Sequence, residues 1–195
     1  RGLALILSDG APMPGMPQVV QTIGSGEVGP VPVAVLLVAG FALLAWILAS
    51  RLQWGRWIYL VGADKEAARR MGIPVDRVII SVFVLSGLGA GLAGLITAGR
   101  TNAGYASAGE LDELAAISAV IIGGASFWGG RGTVWGAIVG VLIFGVISNG
   151  LNLLNVNTYV QLIAIGVIVV VAVELDVIRR RLEERFRTMR GAEGR

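Results

Sequence analysis

Residues 78–99 contain no Asp, Glu, Lys or Arg. As a helix rising about 1.5 Å per residue, a run of that length reaches across the ~30 Å hydrocarbon core of a bilayer. The chain repeats the pattern at residues 31–50, 133–149 and 159–173, each apolar and without charge. A further stretch, 114–128, is apolar but covers only about 22 Å as a helix, short of that thickness. Its length alone leaves a thin span, a tilted half-helix and a re-entrant segment open. With 55% hydrophobic and only 15% charged residues, the whole sits outside the range of a soluble domain. These runs predict an all-α integral membrane protein, a bundle of about five transmembrane helices, one of them short.

The positive charges orient the bundle. The loop over residues 51–77 carries Arg51, Arg56, Lys65, Arg69, Arg70 and Arg77, and a short turn carries Arg131. The tail, 176–195, holds Arg179, Arg180, Arg181, Arg185, Arg187, Arg190 and Arg195, whereas residues 8–30 and 150–158 hold none. The positive-inside rule puts the 51–77 loop, the Arg131 turn and the tail in the cytoplasm. Every loop takes a consistent side only if 114–128 crosses completely. The expected order is then an external loop and the end of a preceding membrane segment over 1–30, the bundle over 31–175, and the basic tail. The pI of about 9.9 is thus a topology signal. A solvated helix end accounts for the tail more simply than an RNA or acidic-lipid site, and no nucleic-acid partner is expected. The opening at Arg1 instead of Met, inside an apolar stretch, leads us to expect the C-terminal portion of a longer protein.

Zero Cys and zero His exclude disulfides, thiol catalysis and the usual zinc sites. No ionisable residue lies in the middle of a span, which argues against a proton-driven carrier, a voltage sensor and an intramembrane protease. The Gly129-Gly130-Arg131-Gly132-Thr133 run lacks the spacing and Lys-Ser/Thr ending of a phosphate loop and is read as a tight turn. The chain is expected to be no enzyme and to bind no cofactor or metal.

Between two apolar runs lies the polar segment Gly62 to Pro74. Asp64 suits a helix N-cap, Lys65 through Met71 are helix formers, Gly72 suits a helix end, and Pro74 blocks continuation. Glu66 and Arg70 stand one turn apart. A two-turn helix is marginal alone, so something must hold it, and an interface with the bilayer or a groove on a partner would serve. Trp54, Trp57 and Tyr59 precede it, as aromatics do at headgroup level. Five of the six prolines fall within residues 8–32, where an external loop is expected, with room for a short surface helix. Gly87, Gly91 and Gly94, and then Gly132, Gly136 and Gly140, have the spacing that lets helices approach closely in lipid. Glu110, Asp112 and Glu113 either cap the helix that follows or dock an external partner, and capping is the simpler reading. Ser86, Ser118, Ser126, Asn149 and Asn152 offer uncharged donors and acceptors that suit a hydroxylated solute along a pathway. Asn155, Asn157 and Gln161 gather near the last two. For any single one of them, hydrogen bonding between helices is the simpler reading.

Several pieces follow in a familiar order. They are Glu66-Ala67-Ala68 with Gly72-Ile73, the glycines of 87–94, Ala108-Gly109-Glu110-Leu111-Asp112, Ile122-Gly123-Gly124-Ala125-Ser126, the Gly129–Thr133 run, and Asn149-Gly150-Leu151-Asn152-Leu153-Leu154. This succession resembles the ribose/xylose-type branch of sugar ABC transporter permeases, over nearly the whole chain outside its two ends. The resemblance implies a multi-pass subunit in the bacterial cytoplasmic (inner) membrane that pairs with a second permease subunit. It also implies an ABC ATPase partner, which uses the ATP, and an extracytoplasmic sugar-binding protein. On the same analogy Asp64, Glu66, Ala67, Arg69, Arg70, Gly72 and Ile73 form the segment that docks on the ATPase. The implied function is inward movement of a monosaccharide, a pentose or similar, by ATP-driven alternating access. A branched-chain amino-acid ABC permease and a non-transporting membrane anchor are the alternatives.

Overall fold

The computed structural model describes residues 2–157, 159–171, 173–174 and 177–178. The basic tail from Arg179 onward lies outside them. The chain divides into two compact units, Arg1–Glu110 and Leu111–Arg195.

In the first unit, α1 (Gly2–Ser8) is followed by β1 (Met13–Pro14), α2 (Gln18–Ser25) and a small hairpin of β2 (Glu27–Val28) and β3 (Val31–Pro32). Gly29, with φ +64°, turns the hairpin in a region that favours glycine. The proline-rich stretch is therefore not a bare loop but holds a packed helix. Val31–Pro32 leads into α3 (Val33–Arg51), whose start tolerates the missing N–H of Pro32. Leu52 is extended and breaks the helix, and α4 (Gln53–Ala63) begins at once. The corner is tight: a Cβ on Gly55 would strike the backbone of Ala49. After α5 (Lys65–Arg70) comes α6 (Val75–Thr101), a helix of 27 residues that ends where Asn102 turns left-handed at φ +49°. β4 (Ala103–Gly104) then pairs antiparallel with β1. The end of α6 is held by α2, where Gly24 and Gly99 bring the two backbones into contact.

In the second unit, α7 (Asp112–Ile122) and α8 (Val134–Leu153) form a hairpin, followed by α9 (Tyr159–Val171). Gly136 lies against the carbonyl of Gly123, and Gly140 against that of Ala119. The two helices therefore run antiparallel with backbones in contact, as the spacing of Gly132, Gly136 and Gly140 led us to expect. Gly124, at φ +87°, ends α7. The N–H of Ala125 donates to Val120 and that of Gly124 to Ile121, the paired bonds that satisfy orphan carbonyls at a helix end. The helical part of 114–128 is thus shorter than its apolar composition suggests. At about 1.5 Å per residue α7 covers roughly half of the ~30 Å core.

Among the described residues, α3, α6 and α8 are the helices long and apolar enough to cross a membrane. α3 buries none of its residues, and large side chains such as Phe83, Leu142 and Val146 are exposed. A helix apolar on all sides must be covered, and here the cover lies outside the described residues. The protein is an integral membrane protein of all-α class. Of the first glycine series, Gly87, Gly91 and Gly94 have open space where a Cβ would stand. It is Gly89 that faces α3, against the ring of Phe41.

Candidate functional site

The segment between α4 and α6 is a small structure in its own right. The N–H of Asp64 donates to Leu60 and ends α4. The carboxylate of Asp64 then accepts from the N–H of Glu66 at 2.9 Å and of Ala67 at 3.0 Å, capping α5. Such a cap contributes about 1 kcal/mol. At the other end Gly72 adopts φ +79°. The N–H of Ile73 donates to Ala68 and that of Gly72 to Arg69, so the last carbonyls are satisfied as well.

Caps alone do not hold six residues helical in water. The remainder comes from burial. Ala68 is 0% exposed and packs in a cluster with Val61 of α4, Ile73, and Val75 and Val78 of α6, flanked by Trp57 and Ile58. Only a small side chain fits at Ala68. The opposite face is free: Lys65, Glu66, Ala67, Arg69, Arg70 and Met71 are exposed, Met71 by 60%. Arg69 pairs with Asp76 at 3.0 Å and Arg70 approaches Glu66 at 3.7 Å. Both pairs are largely in solvent and add at most about 1 kcal/mol each. The structure thus separates the seven expected docking residues. Asp64 and Gly72 shape the ends of α5, Ile73 roots it, and Glu66, Ala67, Arg69 and Arg70 face outward. Met71 belongs with the outward set and was not singled out from sequence, because its position follows from the turn of α5 about Ala68.

The five polar positions are dispersed. Ser86 is exposed on α6 in the first unit, and the other four lie in the second. Ser118 is 0% exposed, and its hydroxyl donates to the Leu114 carbonyl at 2.6 Å within α7. Ser126 stands in the turn after α7, where its hydroxyl accepts from the N–H of Trp128 and its own N–H donates to Arg131. Asn149 and Asn152 lie on the last turns of α8, at the opposite end of the hairpin. The amide oxygen of Asn152 accepts from Gln161 at 3.0 Å, and Gln161 also donates to the Val156 carbonyl. Asn155, at φ +52°, closes α8, while Asn157 accepts from the N–H of Tyr159 and opens α9. Asn152, Asn155, Asn157 and Gln161 therefore take part in the α8–α9 turn. Asp112 and Glu113 lie in the first turn of α7, where their charge suits the helix dipole, and the N-cap position is held by Leu111, whose side chain makes no capping bond. Among the described residues no group of three Asp or Glu side chains is arranged to hold a metal.

The fold is that of an integral membrane protein in which a short helix, braced on one face, leaves its other face exposed. The chain belongs to the family described as branched-chain amino acid transport system / permease component, whose pattern matches residues 6–173. It is 41% identical over 179 residues to the ribose import permease protein of Bacillus subtilis (strain 168), covering 90% of this chain and 55% of that protein. The D-allose transport system permease protein of Escherichia coli (strain K12) is 40% identical over 176 residues, at 90% and 54%. The xylose transport system permease protein of the same strain is 42% identical over 151 residues, at 77% and 38%. The chain spans about half the length of the curated relatives it matches. No solved structure matches it.

Proposed function

We propose that the chain is part of the transmembrane subunit of an ABC importer that moves a monosaccharide inward. The observation that carries this reading is α5, capped at both ends, rooted through Ala68 and Ile73, and exposing Glu66, Arg69, Arg70 and Met71. A helix braced in this way transmits a push from a bound ATPase to α4 and α6 without melting. Closure of the ATPase pair on ATP would move α5, and the spans attached to it would re-open on the other side. Hydrolysis belongs to the ATPase subunit, and this chain supplies no catalytic or cofactor-binding group. A second permease subunit, identical or different, completes the pathway, and an extracytoplasmic binding protein delivers the sugar. The 51–77 loop faces the cytoplasm of a bacterial inner membrane, by the distribution of Arg and Lys, and the C-terminus shares that side if residues 123–128 complete the crossing that α7 begins. Sugar as cargo is supported by the ribose, allose and xylose permeases to which the chain is similar.

The description of the matched family favours one second reading, a branched-chain amino acid as cargo. Uptake by proteoliposomes holding the full-length permease, its ATPase and its binding protein separates the two. ATP-dependent accumulation of ribose, xylose or allose, with none of leucine, is expected. Leucine uptake without sugar uptake would reverse the assignment.

A further inference from the structure

The first unit holds a groove of about 460 Å³ between the end of α3, the start of α4 and the first half of α6. Its volume falls within the ~300–1,000 Å³ of ligand pockets. Its floor is aliphatic, with Leu48 on one side and Val84 and Leu88 along the other, while Arg77 stands at one end. Residues 78–99 carry no charge, so Arg77 marks the border between the apolar length of α6 and water. Trp54 lines the same end, and its indole N–H donates to the Ser81 hydroxyl at 2.6 Å. That hydroxyl donates in turn to the Val78 carbonyl at 2.7 Å. The relay satisfies the indole N–H inside an apolar wall and holds the ring in place. A cation at the charged end of α6, an indole beside it and an aliphatic trough along the uncharged length together match one kind of molecule.

We infer that this groove holds an anionic phospholipid, its phosphate on Arg77 and one acyl chain along Leu48, Val84 and Leu88. Charge complementarity selects the headgroup: an anionic lipid gains from the guanidinium what a zwitterionic one gains only in part. The site rests on α6 spanning the membrane and is independent of the transported cargo.

The test uses the full-length permease in bilayer nanodiscs of phosphatidylglycerol and phosphatidylethanolamine, followed by release and native mass spectrometry. Wild type should retain phosphatidylglycerol in preference. Arg77→Gln should lower the retained fraction about five-fold, as expected for one basic residue at an anionic surface. Arg77→Lys should keep most of it, and Leu88→Trp, which fills the trough, should lose it with Arg77 intact. Equal retention of the two lipids by wild type, no retention of either, or unchanged retention in Arg77→Gln would overturn the assignment. If Leu88→Trp fails to fold, the two Arg77 variants decide the question.

Discussion

The corner around α5 and the α7–α8 hairpin are both tight junctions between helices, yet they are built by opposite means. At the corner, side chains make the contact: Ala68 sits in a cluster of Val61, Ile73, Val75 and Val78, and the Asp64 carboxylate and Gly72 finish the ends. In the hairpin, backbone meets backbone, with Gly136 and Gly140 against the carbonyls of Gly123 and Ala119. The difference follows the solvent. Near water, burying apolar side chains stabilises a short helix, and capping satisfies groups that would otherwise fray. Within lipid, apolar burial gives helices no reason to associate, so close approach and dispersion must serve.

The contrast can be broken from either side. The largest effect is expected in the hairpin. Gly140→Leu drives a side chain into the Ala119 carbonyl, which cannot move aside as a flexible side chain does. A loss of about 3 kcal/mol is expected, read as a lowered unfolding midpoint of the full-length permease in detergent. A midpoint within error of wild type would mean that the hairpin is not packed on its backbone.

At the corner the effects should be smaller and local. Gly72→Ala meets no neighbour but must adopt φ +79°. The cost is about 1–2 kcal/mol, visible as faster proteolysis between residues 62 and 74 while the bundle's midpoint holds. Equal proteolysis would show that the left-handed turn is not needed. The smallest change belongs to Arg69→Gln, since its partner Asp76 is largely in solvent. A shift within about 1 kcal/mol is expected. A larger one would move the brace of α5 from its buried face to its exposed one.

The sequence announced the corner more fully than the hairpin for a physical reason. Asp64, Gly72 and Pro74 act on their immediate neighbours, so the start and stop of α5 are written next to it. The long spans α3, α6 and α8 are legible too, because absence of charge over a span is a property of composition. Pairing between distant segments is not local. Gly87, Gly91 and Gly94 have the right spacing and face open space, while Gly24 and Gly99, far apart in the chain, touch. A spacing rule states that a helix can be approached, not which face is. The end of α7 was legible in principle, since Gly123-Gly124 is a stop signal of the same kind as Gly72. The apolar residues after it masked the stop. Amides suit both a solute and a turn, so the residue type alone fits the asparagines near the end of α8 to either role. The left-handed Asn155 and the bond from Gln161 to Asn152 give those two asparagines a part in the turn.

The central claim is that α5 offers its exposed face to an ATPase while its buried face keeps it rooted. Co-purification of the full-length permease with its ABC ATPase, comparing wild type with Met71→Asp, tests it most directly. Met71 is 60% exposed at the end of α5 and lies outside the buried cluster, so the substitution spares the brace. The account predicts that the variant loses the ATPase and keeps the unfolding midpoint of wild type. Equal recovery of the ATPase with both proteins would contradict it.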